Sequence, residues 1–83
     1  MTKDEIIELL KAFMLREVLE GADVGLDAKT QLLELGLLNS MSVLMLLGEI
    51  EKKLDVVVPR DQIKPENLKD LDTIADLVLR IGT

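Results

Sequence analysis

The sequence predicts an all-α fold: a four-helix bundle of three longer helices and one short third helix, with a long loop after the first helix. Three observations carry that prediction. Apolar residues recur at intervals of three and four along three separate stretches, the spacing that places them on one face of a helix. The apolar supply, 48% of 83 residues, is almost wholly aliphatic, with one Phe and no Trp or Tyr. A chain of this length makes one domain, residues 1–83, around a single small core.

Thr2 followed three residues later by Glu5 matches a capping box and starts the first helix at residue 3, running to about residue 20. Ile6, Leu10, Phe13 and Met14 form its core stripe, widened by Ile7, Val18 and Leu19, and Gly21 supplies the stop. The connection "GADVGLDAKTQLLELGLLN", residues 21–39, is long for a small domain. Its leucines predict that it packs across the bundle, with one helical turn near residues 30–35.

The second helix is expected to begin at Asn39 or Ser40 and to reach about Leu54. Val43, Leu47, Ile50 and Leu54 are its expected core stripe. Met41, Leu44, Met45 and Gly48 form an adjacent one, so this helix has more apolar surface than one buried face needs. "DVVVP" ends it, because three β-branched valines and Pro59 favour extended backbone. Pro65 suits the first position of the short helix "PENLK". Thr73 with Asp76 three residues on resembles the cap of the last helix, whose core stripe is Ile74, Leu77, Val78 and Ile81.

Composition narrows the function. Without His or Cys there is no Ser-His-Asp or Cys-His nucleophile system, no imidazole or thiolate zinc site and no disulfide. No glycine-rich phosphate loop is present, so an autonomous enzyme is not expected. A net charge of −6 argues against nucleic acid and anionic membrane surfaces. No apolar run is long enough to span a membrane and the start lacks a signal-peptide pattern, which makes the cytoplasm the expected compartment.

Three features are candidates for a site. Ser40 stands in "LGLLNSMSVLMLL" at a helix start, where Asn or Ser usually caps and has no further role. The alternative is that another protein supplies the base and modifies this serine, at a point where backbone N–H groups and the helix dipole favour a phosphate. Asp23, Asp27 and Glu34 take positions 1, 5 and 12 of a calcium loop, but Gly25 occupies position 3 and Ala28 stands where the sharp turn requires glycine. A solvated acidic loop is therefore the better account. Met41, Leu44 and Met45 are either core or an exposed docking patch, for which methionine is well suited.

The stretch "LLELGLLNSMSVLMLLGEIEKKLDVVVP", with "IKPENL" and "TIADLV" after it, resembles the acyl and peptidyl carrier proteins. Their signature, a glycine, an apolar stretch, Asp or Asn, then Ser and Leu or Met, opens the second helix. The resemblance implies that Ser40 carries 4′-phosphopantetheine, transferred from coenzyme A by a separate phosphopantetheinyl transferase, with Asn39 replacing the usual Asp. The arm's thiol would hold a carboxylic acid as a thioester, so thioester chemistry needs no Cys in the chain. The implied partner surface comprises Met41, Leu44, Met45, Gly48 and Lys64.

Departures from the family pattern favour one branch. Carriers of fatty acid synthesis look acidic along the second helix, whereas Met45 stands on this one and Lys52-Lys53 falls where acids are common. Ser42 is also expected to be exposed. "GLLNSM" is similar to the "GLLDSM" of D-alanyl carriers, and "PENL" is similar to stand-alone carriers loaded by adenylate-forming ligases. The expectation is a discrete, monomeric carrier for an amino acid or short acid, loaded by an adenylate-forming ligase or acyltransferase and unloaded by a downstream acceptor enzyme. A fatty-acid carrier and a helical module that binds a partner helix without a cofactor are the alternatives.

Overall fold

The computed structural model describes residues 2–21 and 25–82. Helix α1 spans Lys3–Phe13 and continues without a break as a π-helical segment, Met14–Val18. Helix α2 spans Ser40–Leu54, a 3-10 turn covers Arg60–Gln62, α3 is the short Pro65–Leu68, and α4 is Leu71–Gly82. Among the described residues there is no strand, so the all-α expectation holds.

Each element begins where a local signal places it. The Thr2–Glu5 capping box is closed in both directions: Thr2 N donates to Glu5 Oε1 at 2.9 Å and Glu5 N to Thr2 Oγ1 at 3.2 Å. Pro65 sits at the start of α3. The α4 cap differs from the sequence expectation, because Asp70 rather than Thr73 holds it. Asp70 Oδ1 accepts from Thr73 N at 2.7 Å, and the helix starts two residues before Thr73. Asp76 faces outward and pairs with Lys3 at 3.0 Å.

The first helix ends a little earlier than expected. Leu19 N donates to Met14 O, five residues back, and the chain then leaves the helix through Glu20 and Gly21, both at positive φ. The π-turn is braced from α2, where Glu49 Oε2 lies 3.2 Å from an Arg16 guanidinium nitrogen.

The core is continuous: Ile6, Leu10, Phe13 and Met14 meet Leu46 and Ile50 from α2 and Leu71, Ile74 and Ala75 from α4. α1 packs chiefly on α4 and also on α2. The loop completes this core, with Leu26, Leu32 and Leu38 buried and Leu33 and Leu37 half-buried. Residues 31–36 form the expected helical turn: Leu35 N bonds to Gln31 O, and Leu37 N reaches back to Leu32 O past Gly36 at φ +73°. Two backbone bonds dock the loop on the α3–α4 junction, Leu32 N to Lys69 O at 2.8 Å and Asp72 N to Ala28 O at 3.0 Å. Lys29 Nζ adds an ion pair to Asp72 at 2.9 Å. The loop thereby delivers Asn39 and Ser40 to a fixed place.

Candidate functional site

α2 starts with Asn39 as its cap and Ser40 as its first helical residue. Asn39 Oδ1 accepts from Ser42 N at 3.0 Å, and Ser42 Oγ accepts from Asn39 N at 2.8 Å. The capping work therefore falls to Asn39 and Ser42, and Ser40 is not the cap. Its side chain is exposed, and no hydrogen bond among the described residues engages its hydroxyl.

Ser42 corrects an expectation. It is 8% exposed, where the sequence reading placed it on the outer face. The fully buried line of α2 is Ser42, Leu46 and Ile50; Val43, Leu47 and Leu54 are half-buried flanks, and Ile50 alone of the expected stripe is wholly enclosed. A rotation of the buried face by less than one residue step separates the two readings, and the apolar sequence on both sides of that face hid it.

The opposite face is open. Met41 is 69% exposed, Leu44 67% and Met45 40%, and Gly48 is exposed one turn further on. These three side chains are therefore exposed rather than part of the core. From Ser40 to Gly48 this face carries no charge, and Glu49 beside it is turned in toward Arg16.

Ser40 also borders a groove of about 410 Å³. Leu33 from the loop, Val43 and Leu44 from α2, and Ile63, Pro65 and Leu68 line its apolar walls. Lys64 stands on the far side and brings the groove its one cation; its Nζ lies 3.3 Å from Glu66. Lys64, expected on the partner surface, lines this groove, and sequence reasoning missed Ile63 and Leu33, which only the fold brings to Ser40. A second groove, lined by Ile6, Leu54, Val56 and Val78, lies at the other end of α2. It begins about 20 Å along the helix axis from Ser40.

Among the described residues no cluster of carboxylates could hold an ion, and Asp27 Oδ1 is occupied by Lys29 N and Thr30 Oγ1. Asp23, the first position of the calcium pattern, lies outside the described residues. No helix among them is long and apolar enough to cross a membrane.

An exposed serine at the start of a helix, capped by its neighbours and set beside an apolar groove in an all-α bundle, defines a carrier-type domain. Residues 12–81 match the family described as "Phosphopantetheine attachment site", and the chain belongs to it. Its cofactor is 4′-phosphopantetheine. The chain is 32% identical to aminoacyl carrier protein 1 of Bradyrhizobium diazoefficiens over 77 residues, 93% of this chain and 81% of the relative. It is 37% identical to the D-alanyl carrier protein of Listeria welshimeri over 57 residues, 69% of this chain and 67% of that one. A chain of a solved structure titled "Crystal structure of FAD-dependent dehydrogenase" superposes with a TM-score of 0.79 at 39% identity, covering 83% of this chain and 97% of that chain.

Proposed function

We propose that this protein is a discrete aminoacyl or short-acyl carrier, with Ser40 as the attachment residue. The observation that carries the assignment is the division of labour at the start of α2: Asn39 and Ser42 close the capping box, leaving the Ser40 hydroxyl exposed and unbonded. Esterification of Ser40 therefore leaves both bonds of the capping box in place.

The surroundings fit the group. A phosphodiester on Ser40 lies against the first turn of α2, whose N–H groups and dipole favour negative charge by about 0.3–1 kcal/mol. Lys64 across the groove adds a cation in a chain of net charge −6. Attachment joins Ser40 Oγ to the phosphorus of the phosphopantetheine, breaks the pyrophosphate bond of coenzyme A and releases adenosine 3′,5′-bisphosphate. The serine proton goes to a base of the transferase, since this chain has no His. When bound, the cofactor supplies the thiol on which a carboxylic acid rides as a thioester.

Met41, Leu44, Met45 and Gly48, with Lys64 at the groove, form the surface that partner enzymes grip. Its lack of charge beside Ser40 supports enzymes that recognise an apolar face over those that steer to an acidic one. The names of the aminoacyl and D-alanyl relatives support an amino acid as cargo, loaded by an adenylate-forming ligase or acyltransferase and passed to a downstream acceptor. The matched chain from the structure titled for an FAD-dependent dehydrogenase is of this domain's size, which supports a flavin-dependent dehydrogenase among the acceptors. In this reading residues 1–83 act as one monomeric, non-catalytic cytoplasmic domain.

The test is intact mass before and after incubation with coenzyme A and a transferase of broad carrier specificity, alongside Ser40→Ala. A gain of one phosphopantetheinyl group in the wild type, and none in the variant, is expected. A folded, initially unmodified wild type that gains nothing with several transferases would return the protein to the non-covalent helical module. Loading assays with amino acids, short acids and long-chain acids then separate the aminoacyl carrier from a fatty-acid carrier.

A further inference from the structure

Two of the three large side chains on the open face of α2 are methionines. Met41 is 69% exposed and Met45 40%, whereas Met14, in the core of the bundle, is sealed from solvent. Nothing in the fold calls for methionine at either exposed position. Leu44 stands on the same face, and leucine holds a helix at least as well.

Four residues apart, Met41 and Met45 lie about 40° from each other around α2 and about 6 Å along its axis. The stripe they belong to carries no charge from Ser40 to Gly48, and Met41 directly follows the exposed Ser40. A thioether is the one group in this stripe that a mild oxidant converts from apolar to polar, and exposure decides which thioethers are reached. The chain has no Cys to intercept the oxidant.

We propose that Met41 and Met45 are sites at which hydrogen peroxide modifies this protein, and that their sulfoxides switch off the partner-facing side of α2. At each, the sulfur attacks one peroxide oxygen. An S–O bond forms, the O–O bond breaks, and the leaving hydroxide takes the proton from the oxygen now on sulfur and departs as water. Sulfur gives up two electrons and the peroxide gains them. The new oxygen is a hydrogen-bond acceptor, and covering it with an apolar partner surface leaves it unpaired. Methionine sulfoxide reductases return the thioether, so the change is reversible. The effect on transfer rests on the assignment of Ser40 and of this face to partner contact, while the oxidation sites follow from exposure alone.

The experiment treats the folded protein with hydrogen peroxide and removes the excess with catalase. Peptide mass mapping, thermal unfolding and modification by a broad-specificity phosphopantetheinyl transferase with coenzyme A are then measured. Met41 and Met45 should each gain one oxygen at least about tenfold faster than Met14, with Tm held within about 2 °C because the core is untouched. The kcat/KM for the carrier should fall by about tenfold, and the paired reductases, one per sulfoxide epimer, should restore it. The double variant Met41→Leu with Met45→Leu, compared with its own untreated rate, should show no fall, since leucine offers no sulfur at a similar volume. Oxidation of Met14 as fast as the other two, a lowered Tm, an unmoved wild-type rate or an equal fall in the double variant would each overturn the switch and leave the carrier assignment standing. An untreated wild type that accepts no phosphopantetheine would instead remove the carrier assignment, and the switch with it.

Discussion

Asn39 and Ser42 hold each other twice: the Asn39 carboxamide oxygen takes the Ser42 N–H at 3.0 Å, and the Ser42 hydroxyl oxygen takes the Asn39 N–H at 2.8 Å. Ser40, which lies between them, takes no part. Capping and the proposed modification therefore fall to different side chains within one helical turn.

That separation is measurable. Asn39→Ala should cost about 1 kcal/mol, the usual value of an N-cap. Ser42→Ala should cost a similar amount, about 1 kcal/mol, because it leaves the Asn39 N–H without its acceptor. Ser40→Ala should stay within about 0.5 kcal/mol of the wild type, as surface changes without a partner do. Urea unfolding at constant slope reads all three. A Ser40→Ala loss as large as that of Asn39→Ala would mean that the serine caps after all.

The exposed patch yields a second prediction. Met45→Glu places a charge on an exposed apolar face where Met45 itself is 40% exposed, so the isolated protein should unfold at nearly the same temperature. Transfer reactions with partner enzymes should slow by about tenfold, the equivalent of losing roughly 1.4 kcal/mol of contact. Unchanged transfer kinetics would take Met45 out of the surface.

Acid should weaken the fold through identifiable carboxylates. Lys3 first, and Lys29 with it, holds the Asp72 carboxyl below its ordinary range, and the Thr2 backbone N–H, helped by the Thr2 hydroxyl, does the same for Glu5. Both pKa values are lower in the folded chain than in the unfolded one. Their stabilisation is thus fully present above the ordinary carboxylate values and is lost as pH falls through the lowered native ones. Tm should hold near neutrality and decline below about pH 4. Asp72→Asn, which removes the ion pairs to both Lys3 and Lys29, should flatten that decline; an unaltered acid limb would show that the cluster contributes nothing.

The loop supplies a fourth prediction. Leu32 is fully enclosed and its N–H donates to Lys69 O, so Leu32→Ala should cost about 2–5 kcal/mol, as for a core residue in a helix. A loss under about 1 kcal/mol, within the range of many surface changes, would mean that the loop is a strap that the bundle can do without.

Local chemistry made much of this protein legible in its sequence. The Thr2–Glu5 box, Pro65 at a helix start, Gly21 as a stop and the helical turn before Gly36 depend on neighbours a few residues apart, so their signals are complete within a short window. The limits of α2 were legible for the same reason. Its far end is closed by Asp55 at φ 57°, just before the valines that were expected to stop it.

What failed to show were choices between equivalent local options. Asn39 and Ser40 are both good caps, and the arrival angle of the loop, set by Leu32 and Leu38 in the core and by the Leu32–Lys69 bond, makes Asn39 the cap and frees Ser40. Asp70 displaced Thr73 at α4 because the α3–α4 junction brings its carboxylate to the Thr73 N–H.

By itself, the sequence determined the helices, the chemistry available to them and the serine that stands at the start of α2. Helical periodicity and capping are properties of contiguous residues, and the missing His and Cys are properties of composition. Only the tertiary structure decided which face of α2 is buried, because that helix is apolar on more than one side and the core packs against just one of them. The same packing turned Ser42 inward, left Met41, Leu44 and Met45 in solvent, and brought Ile63 and Lys64 across the groove from Ser40.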